Sequence, residues 1–252
     1  MKITLDIRKS AMENAQALFD EAKKFRRKAE GAKKAIENTK RKIALAQTPR
    51  KQESKSAAGR HKKKWFHEYR FFTTTNGLMC VGGKNAKQND TLVAAQLKEG
   101  DLFFHADVHG ASAVILKEGT TKAKEQDLLE AAQFAGSYSN AWKGGSGVAD
   151  VYCVGKDQVS KHSHGEFVGK GAFLISGERK WFKNTLLEIA LSDDENEAKA
   201  EPALKTQGKG IILKPGGETK EELYRQLKSQ LKKSRVSTDE FFALVPGNSE
   251  IA

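Results

Sequence analysis

Apolar and polar positions along the chain change period once, near residue 65. Before that point, small or apolar residues recur at Ala11, Ala15, Leu18, Ala22, Phe25, Ala29, Ala32, Ile36 and Ile43, three and four apart in alternation until a last gap of seven. Such spacing is a heptad seam, and it predicts a single helix from about Ser10 to Ala46. At ~1.5 Å per residue that helix is more than about 50 Å long, so it needs a partner helix from this chain or another. Its many alanines allow close approach but bury little area. Pro49 ends it, and residues 51–64 read as a basic hinge or a short returning helix.

Beyond residue 65 the pattern is that of strands and short helices. Trp65 to Phe72 interleaves aromatic with basic residues; most of them read as core, because the run leads into a hairpin. That hairpin is Arg70–Thr75 and Leu78–Val81 around Asn76-Gly77, a strong signal for a two-residue turn. Leu102, Phe104, Ala106 and Val108 then alternate with His105, Asp107 and His109, predicting a strand with one core face and one chemical face. Ser112–Leu116 predicts a second strand behind it, after a turn at Gly110. A helix is expected over Lys124–Trp142, with Leu128, Leu129, Ala132, Ala135 and Tyr138 or Ser139 inward. Strands follow at Val148–Val154, Ala172–Ser176 and Thr185–Leu191. Residues 193–201 read as an acidic linker. Ile211–Leu213, a turn at Pro215-Gly216-Gly217, a helix from Glu218 to about Lys233 and a capping box from Ser237 to Glu240 complete the chain. The expected fold class is α+β: a mixed or antiparallel sheet with packed helices, preceded by a long N-terminal coiled-coil helix. The expected segments are 1–64, 65–191, 192–209 and 210–252, the third a linker and the fourth a strand-helix extension.

Charge sharpens this division. Residues 1–70 hold 21 Lys+Arg against 8 Asp+Glu, whereas residues 71–252 hold 23 against 24, so the whole net charge of +12 comes from the leading arm. An arm this basic is drawn to polyphosphate without regard to sequence, RNA and DNA alike; the blander alternative is a solvated helix face. No run approaches the ~18 apolar residues of a membrane span, and the charged N-terminus is unlike a signal peptide, so a soluble cytoplasmic protein is expected. Cys80 and Cys153 stand alone in apolar runs and read as core residues.

Three places carry candidate chemistry. Gly82-Gly83 before a helix start, with Lys84 and Lys87 nearby, could hold an anion on backbone amides, although the P-loop spacing is absent. The loop from Asp157 to Gly165, with Ser160, Lys161, His162 and His164, could approach phosphate or ribose closely. His105, Asp107 and His109 are residue types that bind Zn²⁺, so a metal-dependent hydrolase is one alternative; strand positions two apart lie about 6.5 Å from one another, which makes convergence on one ion difficult. A coiled-coil adaptor that binds only protein is another. No cofactor is expected.

Several strings together resemble the RNA-binding domain of the NFACT family: Trp65-Phe66 with Arg70-Phe71-Phe72, Gly82-Gly83 with Gln88-Asn89, His105-Ala106-Asp107-Val108-His109-Gly110-Ala111-Ser112, Ser137-Tyr138-Ser139 with Trp142, and Gln158-Val159-Ser160-Lys161 with Gly165-Glu166. Leu5-Asp6, Arg8-Lys9-Ser10 and Lys28 to Lys33 resemble the family's coiled-coil middle segment. The similarity runs to about residue 190 and leaves the family's N-terminal and helix-hairpin-helix parts outside this chain. Lys84-Asn85 stands where the family usually has Arg-Asp, and His162-Ser163-His164 is richer in histidine. The resemblance implies a non-enzymatic module of ribosome-associated quality control that binds tRNA and a large ribosomal subunit with an obstructed nascent chain. The residues expected to contact RNA are His105, Asp107, His109 and Ser112 on the strand pair, Lys84, Gln88 and Asn89 at the glycine turn, Arg70, Ser160 and Lys161, and the basic run Lys62, Lys63 and Lys64.

Overall fold

The computed structural model describes residues 6–8, 10–47, 64–163, 166–193, 198–231 and 236–252. It forms two compact units, 1–61 and 62–252. In the first, helix α1 spans Ala11–Gln47. Its start is fixed by a capping box: the Ser10 amide donates to the Glu13 carboxylate at 2.8 Å, and the Glu13 amide donates to Ser10 Oγ at 3.2 Å. The seam positions Leu18, Phe25 and Ile36 are 38%, 58% and 56% exposed. Pro49, the hinge, Lys62 and Lys63 lie outside the described residues.

The second unit is built on a six-stranded sheet in the order β1-β2-β4-β3-β5-β10. Its strands are β1 (Arg70–Thr73), β2 (Met79–Gly82), β3 (Leu102–Ala106), β4 (Val114–Leu116), β5 (Val148–Gly155) and β10 (Lys180–Leu186). Between β5 and β10 lie two small ladders, β6 (Val159–Ser160) with β9 (Leu174–Ile175) and β7 (His162–Ser163) with β8 (Glu166–Phe167). A second sheet follows the order β12-β11-β13-β14, from β11 (Ile189–Asp193), β12 (Ala198–Pro202), β13 (Ile211–Glu218) and β14 (Ser249–Ile251). Every ladder among the described residues is antiparallel. No helix among them is long and apolar enough to cross a membrane.

Both faces of the large sheet are covered, which corrects the expected division of β3 into a core face and a chemical face. Phe104 and Ala106 join the core beneath helix α4 (Glu125–Ser137), while Phe103 is equally buried on the opposite side, in the core that includes Leu92 of helix α2 (Ala86–Gln96). That second cover thins at His105, which is half-buried, while Tyr152 opposite it stays in the same core as Phe103. The strand stops at Ala106, so Asp107 and His109 lie in the following turn and not on the strand face.

Helix α4 is buried nearly all round, a pattern expected of a helix between two layers. It breaks at Tyr138 and Ser139, and the expected single helix continues as the short α5 (Asn140–Lys143), capped by the Ser139 side chain. Leu129 points outward. Two buried carboxylates on α4 receive the first hairpin. Asp127 accepts from the Asn76 amide at 3.2 Å and the Asn76 side chain at 3.1 Å, and Glu130 accepts from the Thr75 amide at 2.9 Å. The hairpin connection is Thr75-Asn76-Gly77, one residue longer than expected, because Thr73 pairs with Met79 and the Gly77 amide bonds back to Thr74, with Gly77 at φ 89°.

Two further expectations change. The described part of the expected linker is sheet and helix: Ile189 to Asp193 pairs residue for residue with Ala198 to Pro202, followed by the short helix α6 (Ala203–Thr206). Pro215-Gly216-Gly217 is no turn but a bulge inside β13, where both Pro215 and Glu218 oppose Ser249. Proline lacks an amide to donate, and a bulge tolerates that loss. Helix α7 (Lys220–Leu227) begins on a Thr219–Glu222 capping box, and α8 (Thr238–Leu244) on the Ser237–Glu240 box. Leu213, Leu223, Leu227, Phe241 and Val245 enter the same core as Phe104 and Phe134, so residues 210–252 belong to the body. The remaining short helix, α3 (Gly119–Lys122), follows β4.

Candidate nucleic-acid interface

A cleft of about 340 Å³ opens where β1, the glycine turn, the turn after β3, the α4–α5 break and the loop before β9 meet. Arg70, Lys84, Lys143 and Lys170 line it, together with His105, His109, Tyr138, Tyr152 and Phe173, and no carboxylate does among the described residues. Arg70 stacks its guanidinium on the Tyr138 ring, 4.4 Å from the centroid, and donates through Nη1 to the Gly83 carbonyl at 3.2 Å. Its Nε is sealed from solvent without an acceptor. Burial lowers the Arg70 pKa. Lys84 is lowered by partial burial and then by Arg70.

Behind the cleft, Lys220 donates to the Phe242 carbonyl at 2.7 Å and to the Val245 carbonyl. Burial first, then the charges of Arg70 and Lys143, push its pKa down to about 8. Pro246 belongs to the cleft wall, and its segment is clamped on both sides. The Tyr138 hydroxyl donates to the Leu244 carbonyl at 2.6 Å, and Trp142 Nε1 donates to the Asn248 carbonyl at 3.0 Å. Cations therefore crowd one concavity of a body that carries almost no net charge, an arrangement suited to an anion.

The expected contact residues divide into two groups. Arg70, Lys84, His105 and His109 come together at the cleft. Asp107 lies exposed beside it, in an adjoining groove. Burial lowers the His105 pKa, outweighing the opposing effects of the Ala106 backbone and the Asp107 charge, and so favours the neutral ring.

Other expected residues are engaged in holding the walls. Asn89 is buried, donating to the Ala111 carbonyl and accepting from the Ala113 amide, both at 3.2 Å. Ser112 is buried and donates to the Gly83 carbonyl. Gln88 accepts from the Lys84 amide at 3.0 Å and donates to the Glu68 carbonyl at 3.2 Å, while its own amide meets the Asn85 cap. Thus two amides of the supposed anion-binding turn are satisfied within the chain. A Cβ on Gly83 would sit 2.2 Å from Asn89 Oδ1, so glycine there permits a close backbone crossing.

Lys161 pairs with Asp90 and lies 4.6 Å from the Phe173 ring centroid, pinning its loop onto α2; the Gly171 amide donates to the same Asp90 at 3.0 Å. Ser160 is exposed, as is Lys64, which lies 5.9 Å from the Phe66 centroid. Among the described residues, no group of three or more His, Cys, Asp or Glu converges as a metal site. Cys80 and Cys153 are buried and unpaired with each other. Sequence reasoning missed Lys143, Lys170 and Lys220, whose only signal was being basic.

Comparison with known proteins accords with this architecture. Residues 68–177 match the NFACT protein RNA binding domain, and residues 1–61 match the NFACT N-terminal and middle domains. The chain is 34% identical over 201 residues to the archaeal Rqc2 homolog aRqcH of Methanocaldococcus jannaschii, covering 76% of this chain and 30% of that protein. It is 31% identical over 197 residues to the ribosome quality control complex subunit NEMF homolog of Drosophila melanogaster, covering 75% and 20%. With ribosome quality control complex subunit 2 of Schizosaccharomyces pombe it shares 28% identity over 235 residues, covering 85% and 23%. The chain thus spans less than a third of the length of each of these relatives. The two domain matches, consecutive along the sequence, place the chain in the NFACT family.

Proposed function

We propose that the body of this chain binds RNA in ribosome quality control, its cleft holding a phosphate of tRNA on a large ribosomal subunit with an obstructed nascent chain. The observation that carries this reading is the cleft itself, with Arg70, Lys84, Lys143 and Lys170 on its walls and no carboxylate on them among the described residues. A guanidinium meets phosphate through paired donors, and lysines supply point charges around it. In this reading His105 and His109, which line the cleft, contact ribose hydroxyls, the feature by which a protein tells RNA from DNA, with Ser160 a further exposed candidate. The arm contributes salt-sensitive attraction to polyphosphate. Its exposed Leu18, Phe25 and Ile36 favour pairing with a second helix as a coiled coil. The chain acts in this reading by binding and not by catalysis, in the cytoplasm where ribosomes work.

The test is a titration of labelled tRNA, followed by fluorescence anisotropy at several salt concentrations, against a DNA hairpin of equal length. Wild-type chain is expected to prefer tRNA. Replacing Arg70 and Lys84 together by glutamine should weaken tRNA binding by about tenfold or more and lower the salt slope by about two. Equal binding by variant and wild type would refute the assignment of the cleft.

A further inference from the structure

Beside the cleft, across strands β3, β5 and β10, three rings stand in register. His105 opposes Tyr152, and Tyr152 opposes Trp181. Their centroids are 6.0 Å and 5.4 Å apart, so the row crosses the sheet on a single face. The cover that seals Phe103 also reaches Tyr152, which is only 7% exposed, and leaves Trp181, on the edge strand, 37% exposed at the open end of the row. Arg179 lies 4.7 Å from the Tyr152 centroid and 5.8 Å from that of Trp181. No carboxylate pairs with Arg179 among the described residues. Lys183 approaches the Trp181 ring to 4.1 Å while its ammonium bonds Asp150 at 2.7 Å.

We infer that Trp181, at the open end of this row and with Arg179 beside it, is a stacking platform for one unpaired RNA base, adjoining the phosphate cleft. The inference rests on the RNA-binding reading and extends it from backbone to base. Continuity is given by His105, His109, Tyr152 and Phe173, which line both the cleft and the adjoining groove that holds Arg179. A phosphate among the cleft cations therefore sets its nucleoside beside the ring row. An aromatic face beside an arginine is the combination that unpaired bases stack upon, and duplex RNA, whose bases are already stacked, cannot use it. Asp107 is the one carboxylate lining the groove, and it offers an acceptor to an exocyclic amine. Trp181 lies beyond residues 68–177, outside the stretch matched to the RNA-binding domain.

The test uses the full chain with Trp65→Phe, so that Trp181 and the buried Trp142 are the remaining indoles. The probes are an oligocytidylate of about eight nucleotides and a blunt RNA duplex of similar total charge. Oligocytidylate is expected to quench the indole emission. Trp181→Leu, which keeps apolar bulk without a π-face, should weaken oligocytidylate binding by about tenfold, with Trp181→Phe retaining most of it and duplex binding unchanged. The inference is overturned if Trp181→Leu leaves oligocytidylate affinity unchanged or weakens both probes alike. A wild-type chain that binds neither probe nor tRNA would overturn the RNA-binding reading as well.

Discussion

The arm and the cleft are both cationic, but they acquire their charge differently. In the arm, lysines and arginines follow one another along a solvated helix, and the excess is plain from composition. In the body, residues 71–252 are nearly neutral, and the cleft becomes cationic because the fold gathers Arg70, Lys84, Lys143 and Lys170 while turning carboxylates elsewhere. Asp90 faces Lys161, Asp150 faces Lys183, and Asp127 and Glu130 receive the hairpin. The arm's attraction is therefore long-ranged and sequence-blind, whereas the cleft's depends on tertiary structure and can be selective.

The largest expected effect tests the arm. Changing the exposed Lys23, Lys24, Arg26 and Lys28 to glutamine should lower affinity for tRNA and for DNA alike by about a hundredfold at low salt, with a salt slope shallower by about three. Anisotropy titrations of both probes measure this; a loss confined to tRNA would mean that the arm reads more than charge.

Next comes the dependence of the cleft on the fold. Asp127→Ala strips three amide partners from a buried site and should cost about 2–3 kcal/mol, seen as a lowered urea midpoint. It should abolish preference for tRNA before it abolishes arm-driven binding. Burial raises the Asp127 pKa, but hydrogen bonds from Thr74, Lys124 and Asn76 outweigh it, so the folded value lies below 3.8. Its stabilisation is present above pH 3.8 and is lost as pH falls through the folded value; the acid limb of wild-type stability should flatten in Asp127→Ala.

A subtler change is Arg70→Lys, which keeps the charge but removes the paired donors and the Tyr138 stack. About fivefold weaker tRNA binding at an unchanged salt slope is expected; unchanged affinity would reduce the cleft to a plain charge sink, like the arm.

The smallest effect concerns Lys220. Its pKa of about 8 is depressed from 10.5, so the folded state is penalised while the lysine is charged and gains stability as pH rises from about 8 towards 10.5. Thermal unfolding of Lys220→Gln should show a flatter rise over that range, and inorganic phosphate should stabilise wild type more at pH 7 than at pH 9.

Where local chemistry decides structure, the sequence was readable. Asn76-Gly77 located the first hairpin, and the Ser237–Glu240 pair the start of α8. Local signals misled where tertiary pairing overruled them. The acidic run around Asp193 and Glu201 forms a ladder because Ile189 and Leu191 on the same strand are buried, and the Pro215-Gly216-Gly217 string sits in a bulge. The β3 alternation failed for a related reason: a second cover, α2, buries Phe103. At the site, Gln88, Asn89 and Ser112 were expected contacts because they stand in the strings that resemble the family's, yet their side chains hydrogen-bond within the walls. Lys143 and Lys170 bore no motif, and only their meeting with Arg70 marks them.

The clamp on the C-terminal segment links completeness to competence. The aromatic groups that grip Leu244 and Asn248, Tyr138 and Trp142, lie just ahead of Lys143, and Phe242 and Val245 hold Lys220 in place. Proteolytic clipping near residue 240 would strip Phe241 and Val245 from the core they share with Phe104, open the rear wall and release the Lys220 ammonium. Any anion held in the cleft would therefore depend on a segment far along the sequence from the strands that line it.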